Sequence, residues 1–230
     1  MTLADRFQGV RNWAERALTE RDDVISVEVT QEGSLLVTRN GKRAVRLNLV
    51  SVPMLDEALV EECYSSDPAI DAVVNSGKEL HYSGKSKERA HSLGLEAYTF
   101  KEAWNALGRQ EFRGYEPANL AYAKNTLLSH RRVSRIERVC ESILRIHRRE
   151  HPPVDIVFVD AYTLGVAGLQ QTLSWHSNVD AIVNMGAYNH YTGEAKDAAT
   201  GMGIGLFTYK EFMGALNYAD QRFLDYTPPQ

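Results

Sequence analysis

The sequence is poor in cysteine, which limits the metal and redox chemistry that it can support. Its 230 residues include two cysteines, Cys63 and Cys140, and no CxxC pair. Because zinc sites and dithiol redox sites use closely spaced cysteines, neither kind of site is predicted. Both cysteines are predicted to lie in amphipathic helices, and so few thiols indicate a reducing, cytoplasmic compartment.

Long apolar runs are also missing from the chain. No run approaches the roughly 20 residues needed to cross a bilayer, so no membrane partner is predicted. The N-terminal stretch MTLADRFQGVRNWAER is charged throughout and is not expected to be a signal peptide. The 26 Lys and Arg residues against 30 Asp and Glu give a net charge of −4. Overall charge therefore predicts no nucleic-acid partner, and a local basic surface would have to carry such a function.

One segment of the chain is present twice. Residues 69–108 align without a gap with residues 178–217, at an offset of 109 residues, and 16 of the 40 aligned positions are identical. Unrelated segments would share about two or three such positions. The sequence therefore predicts an internal duplication, with a first unit over residues 1–115 and a second over residues 116–230, packed as a pseudo-dimer.

Each copy of the repeated segment predicts strand, helix, strand, helix. The runs DAVVN and DAIVN are short, apolar and β-branched, as expected for buried parallel strands. Ser83 or Thr192 then stands where a helix N-cap belongs, and the helix that follows ends at a glycine. A second apolar strand and a closing helix complete the copy. The predicted fold class is α/β, with two tandem three-layer units.

Upstream of the repeated segment the two copies are predicted to differ. The first has a helix near residues 3–21, a three-stranded meander formed by ISVEVT, SLLVTRN and RAVRLNLV, and a helix near residues 54–64. The second is predicted to have one long basic helix over residues 131–150, no meander, the strand VDIVFVDA and a helix near residues 168–175.

The order helix, three strands, helix, strand, helix, strand, helix in the first copy resembles the restriction-endonuclease-like PD-(D/E)xK fold, particularly its Mrr-like members. The ends of the copies, HYSGKSKERAHSLGLEAYTFKEAWNAL and HYTGEAKDAATGMGIGLFTYKEFMGAL, are similar to the closing elements of that fold. A Rossmann-like sheet has a similar closing part and remains the alternative. The resemblance implies a nuclease site with an ExK strand and an aspartate that binds a divalent metal ion.

The first copy departs from the family where this chemistry should be. The ExK strand would fall on RAVRLNLV, with Arg46 at the glutamate position and Asn48 at the lysine position. The strand SLLVTRN contains no aspartate. Two carboxylates are needed to hold a divalent ion and activate water, so the first copy predicts no catalysis.

The second copy contains partial matches. Asp155 and Asp160 lie on VDIVFVDA without a following lysine, and Asp180 followed by Glu194 and Lys196 matches the bare spacing of the motif. However, Glu194 and Lys196 are predicted to be exposed at the start of a helix and on different faces of it, whereas an ExK pair shares one face of a strand. We predict no catalytic residue and no cofactor. A divergent nuclease that uses these five residues with Mg²⁺ is the alternative.

A polar loop follows the first strand of each repeated segment. Its shared residues stand at the carboxyl end of a buried strand, where open α/β sheets bind ligands. A nucleotide or another anion could bind there, or the residues could only shape the loop and cap the helix. The candidate ligand residues are Asn75, His81, Tyr82, Asn184, His190 and Tyr191.

The predicted helix over residues 131–150 carries the strongest concentration of positive charge. At about 100° per residue, six arginines fall on one face and apolar side chains on the other. Such a face could bind a phosphate backbone, or it could be a solvated surface paired with carboxylates. The six residues are Arg131, Arg135, Arg138, Arg145, Arg148 and Arg149.

Together these features predict a non-catalytic, nuclease-like protein that binds nucleic acid or a protein partner. Two alternatives remain open from the sequence: a divergent metal-dependent nuclease, and a sensor that binds a nucleotide or anion at a Rossmann-like site. Cleavage of DNA with magnesium would favour the first alternative, and thermal stabilisation by a nucleotide would favour the second. The sequence predicts no oligomeric state.

Overall fold

The computed structural model describes residues 2–77, 81–186 and 190–228. The chain is a mixed α/β protein that divides into two units, Met1–Pro117 and Ala118–Gln230. Each unit contains one five-stranded mixed sheet. Among the described residues, no helix combines the length and apolar character that a membrane span requires.

The described residues of unit 1 form five helices and five strands. The helices are α1 (Leu3–Arg6), α2 (Gln8–Thr19), α3 (Glu57–Ser66), α4 (Gly84–Ser92) and α5 (Phe100–Leu107). The strands are β1 (Val24–Val29), β2 (Leu35–Arg39), β3 (Val45–Val50), β4 (Ala72–Asn75) and β5 (Glu96–Thr99). They lie in the order β1-β2-β3-β4-β5, with β1, β2 and β3 antiparallel and β3, β4 and β5 parallel. The meander and the parallel strands predicted for the first copy are confirmed.

Helices cover both faces of this sheet. Successive side chains of a strand point to opposite faces, so Val74 joins the core under α2 and α5 while Val73 joins the core under α3 and α4. Every residue of β4 is buried. This burial explains why the strand is a continuous apolar run and does not alternate with polar residues.

Unit 2 has the same sheet plan. Its helices are α6 (Ala118–Leu128), α7 (Val166–Trp175), α8 (Gly193–Gly201), α9 (Tyr209–Ala215) and α10 (Asp220–Leu224). Its strands are β6 (Val133–Arg138), β7 (Ile143–Arg148), β8 (Val154–Val159), β9 (Thr163–Leu164), β10 (Ala181–Asn184), β11 (His190–Tyr191) and β12 (Gly205–Thr208). The main sheet has the order β6-β7-β8-β10-β12, and β9 pairs with β11 in a separate two-stranded sheet. Strands β6, β7 and β8 are antiparallel, and β8, β10 and β12 are parallel.

The two units correspond at one constant offset. Strands β6, β8 and β10 begin 109 residues after β1, β3 and β4 respectively, which is the offset of the repeated segment. The same shift relates α3 to α7 and α4 to α8, at both ends of each helix. The correspondence therefore extends upstream of the aligned 40 residues, into the part where the two sequences differ.

The long basic helix predicted over residues 131–150 is wrong, as is the absence of a meander from the second copy. Strands β6 and β7 occupy this segment and form an antiparallel pair. Leu144 and Ile146 are buried while Arg145 and His147 are partly exposed, which is the two-residue period of a strand. Apolar residues in the segment also recur at helical spacing, and pairing of β7 with β8 decides in favour of the strand. Cys140 lies between β6 and β7, so its predicted helical position is wrong too.

Candidate functional site

The asparagine of each repeated loop forms hydrogen bonds with the backbone of three other residues. Asn75, at the end of β4, is completely buried. Its Oδ1 accepts hydrogen bonds from the N–H groups of Val52 (3.1 Å) and Gly77 (3.0 Å), and its Nδ2 donates to the carbonyls of Val52 (3.0 Å) and His81 (2.6 Å). An amide side chain has two donors and two acceptor lone pairs, and all four are used here. Asn75 therefore holds the loop together and has no polar group left for a ligand.

Asn184 makes the same four contacts in unit 2. Its Oδ1 accepts from the N–H groups of Ala161 and Gly186, both at 3.1 Å, and its Nδ2 donates to the carbonyls of Ala161 (2.9 Å) and His190 (2.8 Å). The glycine is required by the same close approach, because a Cβ at Gly186 would lie 2.3 Å from the carbonyl oxygen of Ala161. The repeated Asn and Gly are thus explained by packing of the loop.

The repeated tyrosine is hydrogen-bonded to a helix cap. The Tyr82 hydroxyl is buried and donates to Glu102 Oε1 at 3.0 Å, while Glu102 Oε2 accepts from the N–H of Thr99. Tyr191 donates to Glu211 Oε1 at 2.9 Å in the same way. Burial, and then the hydrogen bond to Glu211, raise the pKa of Tyr191. Both tyrosines therefore brace the capping box that starts the last helix of the repeated segment.

The two histidines of these loops differ in exposure. His81 is partly buried, and burial lowers the pKa of its imidazole. His190 is exposed. The carbonyl groups of both residues accept the asparagine hydrogen bonds. Within each unit the three predicted ligand residues therefore lie in one loop region, and the Asn and Tyr side chains hold the loop and the helix cap.

The carboxylates of the partial nuclease motif are spread along the sheet of unit 2. Asp155 accepts two hydrogen bonds from Arg145, both at 2.7 Å, and Asp180 accepts one from the N–H of Asp155 at 2.7 Å. Asp160 follows β8 and is exposed. Glu194 lies in the first turn of α8, beyond the far end of β10 from Asp180. Among the described residues, no three His, Cys, Asp or Glu side chains are grouped to hold a metal ion.

Lys196 lies on α8, as predicted, but its predicted exposure is wrong. Its side chain is partly buried, and burial lowers its pKa. The ammonium group donates to the carbonyls of Leu206 (2.8 Å) and Leu224 (3.0 Å) and lies 4.2 Å from the ring centroid of Phe207. Lys196 therefore binds neighbouring backbone groups, whereas Glu194 on the same helix is exposed.

The six arginines that were predicted to share one helix face do not do so, because most of them lie on β6 and β7. Arg145 is paired with Asp155, and Arg135 donates to Glu137 at 3.1 Å. These two arginines are neutralised by carboxylates of the same unit. Exposed pairs of this kind contribute little stability, and they leave less free positive charge for phosphate.

The other four arginines of this set have separate surroundings. Arg138 donates to the carbonyls of Cys140 and Glu141. Arg148 is buried, and it donates to the carbonyls of Pro152 and Tyr218. Two exposed residues remain, one before β6 and one after β7. They are Arg131 and Arg149.

A different basic site occurs in unit 1, and we call it the arginine pocket. It is a cavity of about 430 Å³ between the turn that joins β2 to β3 and the loop that follows α5. The turn reverses at Gly41, whose φ of +65° suits glycine. Its lining residues are Arg39, Arg43, Gln110, Glu111, Phe112 and Arg113.

One buried aspartate anchors two exposed arginines of the pocket. Asp71 Oδ1 accepts from the Nη2 atoms of both Arg43 and Arg113, the latter at 3.1 Å, and Asp71 Oδ2 accepts from the N–H of Arg46 at 3.0 Å. The side chain of Asp71 is 5% exposed, whereas those of Arg43 and Arg113 are 65% and 50% exposed. Within the described part of the chain, Asp71 is the one acceptor that contacts these two guanidinium groups. Their remaining N–H groups can reach a ligand.

A third arginine forms the buried part of the pocket. Arg39 is 2% exposed and donates to the carbonyls of Arg43 (2.9 and 2.7 Å), Leu107 (3.0 Å) and Arg109 (2.9 Å). Burial lowers its pKa, but an arginine stays protonated in proteins. Its charge is surrounded by carbonyl dipoles and makes no direct contact with a carboxylate among the described residues. A buried cation of this kind favours an anion nearby.

The sequence reasoning missed this pocket because its parts lie far apart in the chain. RNGKR at residues 39–43 and GRQEFR at residues 108–113 each read as charged turns in solvent. One signal could have directed attention to it, since Asp71 and Asp180 are identical in the repeated segment while the residues at positions 43 and 152 are Arg and Pro. Unit 2 therefore keeps the aspartate without one of its two arginines.

Comparisons with known proteins leave the family open. No protein-family model, curated protein or solved structure matches the chain at a significant level. The function is therefore argued from the geometry of the site.

Proposed function

We propose that this protein is a non-catalytic, nuclease-like binding protein that arose by duplication of one α/β unit, and that its partner is nucleic acid. The observation that carries the proposal is the arginine pocket of unit 1. Arg43 and Arg113 offer unoccupied N–H donors at the surface, beside the buried charge of Arg39. Guanidinium groups are well suited to bind phosphate oxygens, often through two hydrogen bonds at once.

The order of elements supports the nuclease-like part of the proposal. Helix, three-stranded meander, helix, strand, helix, strand and helix follow one another in both units, as in the restriction-endonuclease-like fold that the sequence resembles. The meander of unit 2 strengthens the case for duplication, because it lies at the 109-residue offset in a segment where the sequences have diverged.

The residues at the motif positions support the absence of catalysis. In β3, Arg46 is paired with Asp67 at 3.1 Å, and Asn48 is buried. In β8, Asp155 is bound by Arg145 and is followed two residues later by Val157 instead of a lysine. A carboxylate held by a guanidinium is a poor ligand for a metal ion, because the cation must first be displaced.

The proposal can be tested by titrating the full-length protein into fluorescently labelled duplex and single-stranded DNA at about 50 mM salt and following anisotropy. We expect binding that weakens steeply as salt is added, because phosphate contacts release counterions. The double variant R43A/R113A should bind more weakly. R135A is the matched control, since Arg135 is a similarly exposed arginine that is paired with one carboxylate.

Two results would contradict the proposal. If the wild-type protein binds no nucleic acid at low salt, the partner is of another kind, and a protein or a small anion becomes the candidate. If the protein cleaves DNA with Mg²⁺ and D155N abolishes the cleavage, the divergent nuclease is correct. We expect neither binding nor stability to change on addition of Mg²⁺.

A further inference from the structure

We propose that the arginine pocket of unit 1 binds a terminal phosphate, that is, a phosphate monoester, in preference to the diester of a continuous backbone. The inference deepens the proposed function, on which it rests for the identity of the molecule that carries the phosphate. Its chemistry applies equally to the phosphorylated end of a nucleic acid and to a free nucleotide.

The pocket carries a net positive charge, because its three arginines exceed Asp71 and Glu111 by one, and such a site attracts anions. Three arginines line the cavity, and the nearby Lys42 is paired with Asp23 at 3.6 Å and donates to the carbonyl of Gly108. Asp71 is buried beneath the arginines and accepts three hydrogen bonds from them and from backbone. Glu111 is the acidic residue among those that line the cavity. A monoester carries close to two charges at neutral pH, with a second pKa near 6, whereas a diester carries about one.

The two exposed guanidinium groups are close enough to share one phosphate. Their Nη2 atoms contact the same oxygen of Asp71, so the distance between them cannot exceed the sum of two hydrogen-bond lengths. The contact with Asp71 uses one N–H of each guanidinium group and fixes the position of that group. The remaining N–H groups can then bind different oxygens of one phosphate group. A terminal phosphate has three free oxygens for them, and a diester has two.

Arg39 fixes the two backbone segments that carry Arg43 and Arg113 before a ligand binds. Its Nε and Nη2 both donate to the carbonyl of Arg43, which fixes the backbone that carries one exposed arginine. Its Nη1 donates to the carbonyls of Leu107 and Arg109, at the start of the loop that leads to Arg113. The buried side chain of Arg39 therefore sets the spacing of these two segments. A preorganised site loses less conformational entropy on binding.

The shape of the cavity also favours the end of a chain. A volume of about 430 Å³ is within the range of small-molecule pockets and suits a phosphate with part of a nucleotide. An end can enter the cavity and place its phosphate between Arg43 and Arg113.

The experiment compares one single-stranded oligonucleotide in three forms, with a 5′-phosphate, a 3′-phosphate or hydroxyl groups at both ends. Orthophosphate and a nucleoside monophosphate are tested by calorimetry. We expect at least one phosphorylated oligonucleotide to bind about tenfold or more tightly than the form with hydroxyl ends. The hydroxyl form lacks the charge-assisted hydrogen bonds that a terminal phosphate makes with the arginines. R43A and R113A should each remove this preference, and R135A should keep it. R43K retains the positive charge beside Asp71 but lacks the planar guanidinium donors, so it should lose part of the preference for a phosphorylated end.

Each outcome separates the two proposals. Equal binding of all three oligonucleotides overturns the terminal phosphate and leaves nucleic-acid binding intact. Binding of the small phosphates alone, abolished in R113A, supports the pocket and overturns the nucleic-acid partner. A preference that survives in both alanine variants places the phosphate elsewhere and overturns the inference. Melting curves show whether each variant is folded, and a variant that is unfolded is replaced by its lysine counterpart in the same comparison.

Discussion

Replacing Asn75 with alanine tests whether the repeated polar loop is structural. The side chain is completely buried and makes four hydrogen bonds to backbone groups of Val52, Gly77 and His81. Alanine would leave two N–H groups and two carbonyls without these partners. A buried polar group that loses its partner costs about 1–3 kcal/mol. Since all three backbone partners are only partly buried, water can recover some of this loss.

We therefore expect N75A to lower the free energy of unfolding by about 3–5 kcal/mol, a large fraction of the stability of a typical domain. Melting of unit 1 should shift down by more than about 10 °C. The measurement is thermal and urea unfolding of the full chain, followed by circular dichroism. N184A should destabilise unit 2 to a similar degree, because Asn184 makes the equivalent four contacts.

Asn12 provides the control, since it is an exposed asparagine on α2. N12A should change the free energy of unfolding by less than about 0.5 kcal/mol. If N75A behaved like N12A, the loop would not depend on this amide and the structural explanation would be refuted. Loss of ligand binding in N75A at unchanged stability would instead favour the nucleotide or anion sensor.

Three further predictions concern partly or fully buried groups. K196M should lower the free energy of unfolding of the chain by about 1–2 kcal/mol in urea titrations, because two carbonyls lose their ammonium donor. Cys63 should react with a thiol reagent only after denaturation, because it is buried and burial raises its pKa to about 12. The hydrogen bond from His147 lowers the pKa of Glu137, so this carboxylate stabilises the protein above its unfolded pKa and the benefit is lost as pH falls through the folded pKa. Between about pH 6 and pH 3, the melting temperature of E137Q should therefore fall less than that of the wild type, and equal slopes would count against this pairing.

The repeated segment was predictable because its signals are local. Ser83 and Thr192 accept hydrogen bonds from backbone N–H groups three residues later, as N-caps do. Gly94 and Gly203 both have φ of +74°, a conformation that favours glycine just after a helix. Capping and helix termination depend on a few neighbouring residues, so they can be inferred without knowing what the helix packs against.

The meander of unit 2 was not predictable in the same way. In ILRIHR the buried residues alternate with polar ones, but the segment is short and long arginine side chains suit a helix as well as a strand. The deciding factor is the neighbouring strand β8, a tertiary contact. Applying the 109-residue offset upstream would have placed Leu144 on Leu35 and Ile146 on Val37, both in β2. The offset of the repeated segment therefore indicates the strand where local propensity does not.

The arginine pocket illustrates how comparison of the two units separates scaffold from function. Arg39 and Arg148 stand at equivalent positions, and each donates to a carbonyl four residues later and to another 70 residues later. The shared arginine therefore belongs to the scaffold of both units. At the equivalent of Arg43, unit 2 has Pro152, which can supply a carbonyl to the scaffold but no guanidinium to a ligand. Because unit 2 keeps the backbone contact without an arginine at this position, the scaffold contact does not require one, and a role in binding is the reason we infer for Arg43 in unit 1.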